Sequence, residues 1–145
     1  MISYQQLIKK IEDFCNSHLQ VKRFGADFQE QMGNFATLSN EFPIVFMAPV
    51  SKTLLQDVAY FTVDIWSWDI IDKDRSNINN CLSDTDLILT DIYNFIKNGS
   101  DYSIDIINTP FITPLNNGLL DYTVGNVIRI EFEIGTYCYN NIPLK

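Results

Sequence analysis

The amino-acid sequence predicts an α+β fold, a two-layer sandwich with two main helices on one face of a mainly antiparallel sheet. Two stretches have apolar residues at helical spacing, and several others have them at every second position, as strands do. In chain order these stretches give helix, strand, strand, helix, strand, strand, and gathering both helices on one face of the sheet is the economical packing. With 145 residues, 46% of them hydrophobic, we expect a single domain over residues 1–145.

The first element is a helix over residues 3–19. Ser3 and Gln6 have the spacing of a capping box, in which two side chains close the N-terminus of a helix. Behind this cap the apolar residues recur at helical spacing: Tyr4, Leu7, Ile8, Ile11, Phe14, Cys15 and Leu19. Residues 20–42 are less regular and predict a long connection with apolar anchors, which begins with a short strand ended by Gly25.

Two strands and a second helix follow. The first strand, at 44–48, lies between two prolines, and the second covers residues 57–70. Because a short connection joins them, we expect a hairpin. The second helix covers residues 78–96, where apolar side chains again recur at helical spacing, and Asn98-Gly99 supplies its stop signal.

The last third of the chain predicts two more strands and an unusual loop. A short strand at 102–108 precedes the loop, and the closing strand at 127–134 alternates apolar with charged residues. The loop, residues 109–123, contains two prolines and several large apolar residues, which is unusual for a solvated connection. We expect this loop and the tail at 137–145 to be contact segments.

The charge of the chain disfavours some classes of function. There are 10 Lys+Arg and 18 Asp+Glu, a formal net charge of −8, whereas nucleic-acid binding needs clustered cations for the phosphates. The longest apolar runs are far below the roughly 18 residues that a membrane helix needs, and no secretory signal is visible. We expect a soluble protein that is not secreted, with no membrane partner and no dedicated DNA binding.

The search for catalytic chemistry finds no constellation of residues. His18 is the single histidine, and no phosphate-binding glycine motif and no zinc-ligand spacing occurs. The three cysteines, Cys15, Cys81 and Cys138, are widely spaced and are expected to be buried free thiols of a reducing compartment. We therefore expect no enzyme, and no catalytic, cofactor-binding or metal-binding residues.

Surface carboxylates leave one alternative open. Glu131 and Glu133 share a strand face, where an enzyme with paired carboxylates could use them. Arg129 on the same face offers simple neutralisation instead. The alternative function is a small α+β ligand-binding domain or a hydrolase that uses the surface carboxylates near Asp64, Asp69 and Glu131.

The pair of tryptophans is the most informative feature of the sequence. Trp66 and Trp68 share a strand face with Tyr60, opposite the aliphatic residues of the same strand. Interfaces are enriched in tryptophan and tyrosine, so this face and the apolar loop predict an interaction surface. The equally supported alternative is that the tryptophans are covered and close the core. The residues predicted for a subunit interface are Tyr60, Trp66, Trp68, Phe111, Ile112, Leu115, Leu119 and Leu120.

A series of short motifs gives a family resemblance. The motifs are Val21-Lys22-Arg23-Phe24-Gly25, Phe42-Pro43-Ile44-Val45-Phe46-Met47-Ala48-Pro49, Tyr60-Phe61-Thr62-Val63-Asp64-Ile65-Trp66, Asp74-Arg75-Ser76-Asn77, and Val124-Gly125-Asn126 before the closing strand. With these motifs, residues 20–138 resemble the tail-terminator and head-to-tail connector (tail completion) proteins of tailed bacteriophages, including those of gut phages that infect Bacteroides-type hosts.

The resemblance implies a structural virion protein without catalytic residues. Such proteins form homo-oligomeric rings at the junction of head and tail, stacked on portal, connector or tail-tube proteins, and genome DNA passes through the channel without specific binding. The protein would be assembled in the host cytoplasm and located in the virion. A closed ring needs two different patches on each subunit, and the tryptophan face and the 109–123 loop are the candidates. A third alternative is an adaptor that binds one host protein through its aromatic patch.

Overall fold

One six-stranded mixed sheet organises the computed structural model, which confirms the predicted α+β fold. The structure describes residues 3–56, 58–98, 104–116 and 119–135. The predicted contact tail at 137–145 and the third cysteine, Cys138, lie outside the described residues.

The helices and strands follow one another in a less regular order than the sequence predicts. The described α-helices are α1 (Tyr4–Ser17), α2 (Met32–Thr37) and α3 (Ile78–Asn98), and a short 3-10 helix, Gln29–Gln31, leads into α2. The strands are β1 (Arg23–Ala26), β2 (Ile44–Leu54), β3 (Val58–Ile70), β4 (Ile104–Ile106), β5 (Ile112–Asn116) and β6 (Thr123–Gly135). Across the sheet the order is β1-β2-β3-β6-β4. β5 also pairs with β6, on the side of β4, because β3 occupies the other side of β6.

Helices α1 and α3 lie together on one face of the sheet and form the main core with it. Alternate residues of β2, β3 and β6 face these helices, as the two-residue strand period predicts. The buried residues of this core are Leu7, Ile11, Cys15, Val45, Met47, Val63, Ile65, Ile88, Leu89, Ile92, Ile104, Ile128, Ile130 and Phe132. The Asn126 side chain on β6 donates to the Leu82 carbonyl and to Thr85 Oγ1, so hydrogen bonds also hold α3 on the sheet.

Polar side chains fix both ends of α1. The predicted capping box is confirmed, since Ser3 Oγ accepts from the Gln6 amide and the Gln6 side chain accepts from the Ser3 amide. At the other end, His18 Nε2 lies 2.8 Å from Asp91 Oδ2 on α3. The second contact ties the two long helices together above the sheet.

The opposite face of the sheet, which we call the outer face, carries a second core over part of its area. α2 packs there against β2, although after a short strand ended by Gly25 the sequence predicts only a long connection with apolar anchors. Arg23 on β1 holds α2 in place, because its guanidinium donates to the Phe35 and Ala36 carbonyls. The same group lies 4.7 Å from the centroid of the Phe35 ring. A cation at the C-terminal end of a helix interacts favourably with the last carbonyls of the helix.

The finer architectural prediction is not confirmed. The chain does not form a simple two-layer sandwich, because α2 and part of the 109–123 segment cover the outer face as a further, partial layer. The order helix, strand, strand, helix, strand, strand is not confirmed either, since β1, α2 and β5 add elements to it. The sheet is mixed: β1 is parallel to β2, and the other described pairs are antiparallel.

Strand β2 is longer than predicted. It continues past Pro49 to Leu54, whereas the flanking prolines predict an end at Ala48. Proline is tolerated at a sheet edge, where its missing N–H faces no neighbouring strand, and the ladder to β3 shifts register between Pro49 and Ser51. β2 and β3 therefore form a long hairpin whose distal half continues beyond β1, which pairs only with residues 44–47.

The packing around Gly125 on β6 leaves no room for a side chain. A Cβ at this position would overlap the backbone of Ser67 on β3, whereas a Cβ at Gly33 in α2 meets nothing within 4 Å. We expect Gly125→Ala to lower the free energy of unfolding by about 3 kcal/mol. The control Gly33→Ala is expected to be neutral or to add up to about 1 kcal/mol, because alanine favours the helix. Urea denaturation measures both, and equal stability of the two variants would contradict this account.

Cys15 and Cys81 are buried free thiols, as predicted. Burial raises the pKa of each thiol to about 12, and only the thiolate reacts with disulfide reagents. In a Cys138→Ser variant we expect neither thiol to be labelled in the folded protein at about pH 8, and both to be labelled in denaturant. Unfolded thiols ionise at lower pH than the folded ones, so the free energy of unfolding should fall as pH rises above about 9. Fast labelling of the native protein would show that this burial is wrong.

Candidate interaction surface

The outer face carries the tyrosine and the two tryptophans predicted for a subunit interface. Tyr60, Trp66 and Trp68 lie on this face of β3, as their two-residue spacing predicts. Trp66 and Trp68 are buried, with exposed fractions of 6% and 1%. They pack with buried residues of α2 and β2: Met32, Ala36, Ile44, Phe46 and Ala48. The tryptophans therefore close a second core, which is one of the two alternatives that the sequence leaves open.

The apolar 109–123 segment is largely explained by the same core. Leu115 on β5, together with Leu119 and Leu120, packs against this second core. Ile112 packs against the main core on the other face of the sheet. The tryptophan face and the 109–123 segment, which the sequence offers as two separate patches, thus contact each other within one chain.

Phe111 is the predicted interface residue with the most accessible side chain. It is 78% exposed, whereas Tyr60 is half-buried on the outer face in register with Glu133. The contact of the eight residues with another subunit stays a prediction. A side chain such as Phe111 can make that contact without any opening of the second core.

An interruption of the sheet edge positions Phe111. Between β4 and β5, the five residues 107–111 lie opposite only three residues of β6, so the edge strand bulges. The Asn108 side chain fills this gap in the ladder: its Oδ1 accepts from the Glu131 amide and its Nδ2 donates to the Arg129 carbonyl, both at 2.9 Å. The bulge therefore presents Phe111 to solvent at the edge of the sheet.

A cleft of about 300 Å³ lies beside this bulge. Its lining residues are Asp64, Asn108, Pro110, Phe111, Thr113, Val127 and Arg129. Within it, Arg129 Nε and Nη2 donate to the two carboxylate oxygens of Asp64 at 2.8 and 2.9 Å. These hydrogen bonds raise the pKa of the Arg129 guanidinium. A bidentate pair of this kind has a fixed geometry, so the cleft has one rigid polar wall and an aromatic side chain at its mouth.

The pairing of Arg129 leaves an acidic strip on the outer face. The sequence suggests that Arg129 neutralises Glu131 and Glu133, but its guanidinium binds Asp64. Glu131 and Glu133 follow on the same face of β6, and Asp105 of β4 is in register with Glu133. We call Asp105, Glu131 and Glu133 the acidic strip.

The carboxylates of the alternative function are not brought together. Asp64 and Glu131 share the outer face, but Asp69 is in register with Val124 and lies on the helix side. There, burial raises the pKa of Asp69, and its carboxylate accepts from the Ile70 amide. The described residues contain no group of three or more His, Cys, Asp or Glu side chains that could hold a metal ion.

The described part of the sheet is open at two edges with different surroundings. Beyond Met47, no described strand lies beside the free side of β2, and residues 49–54 are all exposed. At the opposite edge, β4 and β5 pair only with β6. Exposed apolar side chains accompany both edges: Leu54 at 69% and Leu55 at 55% on β2 and its turn, and Phe111 at 78% beside β5.

Neither the protein-family models nor the curated proteins compared with this chain match it. No helix among the described residues is long and apolar enough to span a membrane.

Sequence reasoning missed Asn108 and the Asp64–Arg129 pair. The sequence does contain a signal for the pair, because the two-residue strand period places both side chains on the outer face. The two strands that carry them are neighbours in the sheet.

The Asp64–Arg129 pair is expected to couple the two central strands. Asp64 is only 8% exposed, so the loss of its partner leaves a carboxylate with little access to water. Because Arg129 itself is largely exposed, we expect a modest coupling energy of about 1 kcal/mol between Asp64→Asn and Arg129→Gln. A double-mutant cycle by urea denaturation measures this value. Strictly additive effects would show that the pair does not stabilise the sheet.

Proposed function

We propose that this chain is a structural virion protein, the ring-forming subunit of the head-to-tail connector or tail terminator of a tailed phage. In this role it joins the portal to the tail and lines the channel through which the genome passes. The observation that carries the proposal is the presence of two different open sheet edges, each beside exposed apolar side chains.

Two unlike edges favour a ring over a two-fold dimer. In a two-fold dimer one patch meets a copy of itself, whereas a ring joins two different patches head to tail. The β2 edge and the β4–β5 edge lie on opposite sides of the β3–β6 pair, so one subunit can contact two neighbours at once. Such a contact would bury apolar side chains that are exposed at both edges, Leu54 and Phe111 among them, and burial of apolar surface favours association.

The charge of the chain is compatible with a channel protein. The formal net charge is −8, and the acidic strip lies on one face of the sheet. Repulsion between an acidic lining and DNA phosphates prevents the genome from adhering, while the same charge also serves solubility. The partners in this proposal are further copies of the chain together with portal, connector or tail-tube proteins, in the virion.

Electron microscopy of the purified protein tests the proposal. Negative-stain images of the protein, alone and with candidate portal complexes, are expected to show rings or decoration of the tail-side face of the portal. Mass spectrometry of purified virions gives an independent test. Absence of the protein from virions would overturn the proposal.

Phe111→Ser is expected to weaken assembly without destabilising the subunit. Phe111 is 78% exposed, so folding gains little from it. An aromatic side chain buried at an interface commonly contributes about 2 kcal/mol, so we expect association to weaken about 30-fold. The control is Leu19→Ser, which removes an apolar side chain that is 94% exposed beyond the end of α1. Sedimentation velocity compares them, and equal assembly of both variants would remove Phe111 from the interface.

The cleft beside the Asp64–Arg129 pair favours a second candidate function, that of a small ligand-binding domain. Its volume of about 300 Å³ suits a small molecule. A ligand present at 100 times its Kd stabilises the folded protein by about 2.7 kcal/mol, which a thermal-melting screen detects. Stabilisation that is lost in Arg129→Gln would favour this function over the structural one.

A further inference from the structure

We infer that the free edge of β2, over residues 49–54, is a strand-addition site that pairs with the β4 edge of a second copy of this chain. The inference names the contact that would close the proposed ring, and it rests on that proposal for its occupant. Strand addition uses main-chain hydrogen bonds between an open sheet edge and an extended segment.

The hydrogen-bonding groups of the β2 edge are available along its distal half. The Leu55 amide donates to the Val58 carbonyl and closes the turn of the hairpin. Since hydrogen-bonded and non-bonded pairs alternate in an antiparallel ladder, Thr53 and Ser51 also bond to β3. The amides and carbonyls of Lys52 and Leu54 therefore point away from β3, to the side where the described part of the chain supplies no strand.

The β2 edge is protected from pairing mainly at its start, where Pro49 and the register shift after it interrupt the strand. Long exposed edges are commonly shortened, covered or lined with charges, because they otherwise recruit further strands. Here β2 has 11 residues, of which β1 covers only the first four. Residues 49–56 contain a single charge, Lys52, and the exposed apolar side chains of Leu54 and Leu55 follow it. From Ser51 to Leu54 the edge therefore has only the Lys52 charge as protection, and this part is open to pairing.

The complementary edge is present in the same chain. The Ile107 amide donates to the Glu131 carbonyl, so by the same alternation Asp105 bonds to β6 while Ile104 and Ile106 point their amides and carbonyls outward. No described strand occupies that side of β4. Two strands, β3 and β6, separate this edge from β2. The two edges can therefore meet only between two copies of the chain.

Charge favours the head-to-tail pairing over the two symmetric alternatives. Two β2 edges would bring Lys52 towards Lys52, and two β4 edges would bring Asp105 towards Asp105. Like charges on paired strands are destabilising, whereas opposite charges stabilise. Lys52 lies on the helix side of the sheet against the Phe61 ring and Asp105 lies on the outer face, so pairing β2 with β4 brings neither set of like charges together. The repeated contact is heterologous, as a ring requires.

Hydrogen–deuterium exchange of the full chain tests the inference directly. Amide exchange at Lys52 and Leu54 is measured at low and high protein concentration. We expect it to slow by about tenfold or more at high concentration, because these amides become hydrogen-bonded. The Ile104 and Ile106 amides should slow in parallel. Exchange at these positions that does not respond to concentration would overturn the inference.

A matched pair of variants separates the backbone contact from the side chain. Lys52→Pro removes the outward N–H, whereas Lys52→Ala removes the same charge and the contact of Lys52 with the Phe61 ring but keeps the N–H. We expect assembly to be lost in Lys52→Pro and weakened only slightly in Lys52→Ala. Circular dichroism checks that both variants fold. Rings formed by folded Lys52→Pro would overturn the inference, and exchange decides the question if this variant does not fold.

The two proposals fail in different ways. If the protein is present in virions but the Lys52 and Leu54 amides stay unprotected on assembly, the virion role is supported and the strand pairing is contradicted. If those amides become protected on self-association but the protein is absent from virions, the strand pairing stands and the virion role falls.

Discussion

The antiparallel ladder between β3 and β6 is the constraint on which the rest of the structure depends. Both strands have 13 residues and pair along their whole length. Of the other described strands, β1 and β2 lie on the β3 side of this ladder, and β4 and β5 lie on the β6 side. The two larger cores form on the two faces of the ladder. Gly125 allows the two backbones to approach closely near one end, and the Asp64–Arg129 pair crosses the ladder on the outer face. A change that separates these strands therefore disturbs both cores together.

Much of the fold can be predicted from the sequence because the long elements are strongly periodic. α1, α3, β3 and most of β6 lie close to their predicted bounds, since each buries one face and its apolar spacing reflects that burial. β1, α2 and β5 are short, and distant parts of the chain stabilise them. Arg23 bonds to the last carbonyls of α2, and β5 exists only beside β6. Periodicity does not report such contacts, so α2 and β5 are predicted as parts of connections, and where β1 lies the sequence predicts only a short strand that ends at Gly25.

The sequence predicts which face of the sheet the candidate surface residues occupy, but it does not predict which residues cover that face. Spacing alone assigns Trp66 and Trp68 to the outer face, because alternation along a strand is a local property. The residues that bury them come from α2 and from Leu115, Leu119 and Leu120, which are separate in sequence. An apolar strand face therefore has the same sequence pattern whether it docks a partner or a segment of its own chain. The role of Asn108 could not be predicted for a similar reason, because its side-chain amide forms its hydrogen bonds with β6, which is distant in sequence.

The interrupted edge at Asn108 also limits the kinds of polymer that this protein can form. An unbroken edge as long as β6 would offer a template for stacked strands and fibrous growth. The Asn108 amide takes the place of a peptide group opposite Arg129 and Glu131, and the main chain leaves the ladder there. An arriving strand meets either β4 or β5, each only a few residues long. The same side chain that presents Phe111 to solvent thus guards against amyloid-like stacking while leaving short contacts possible.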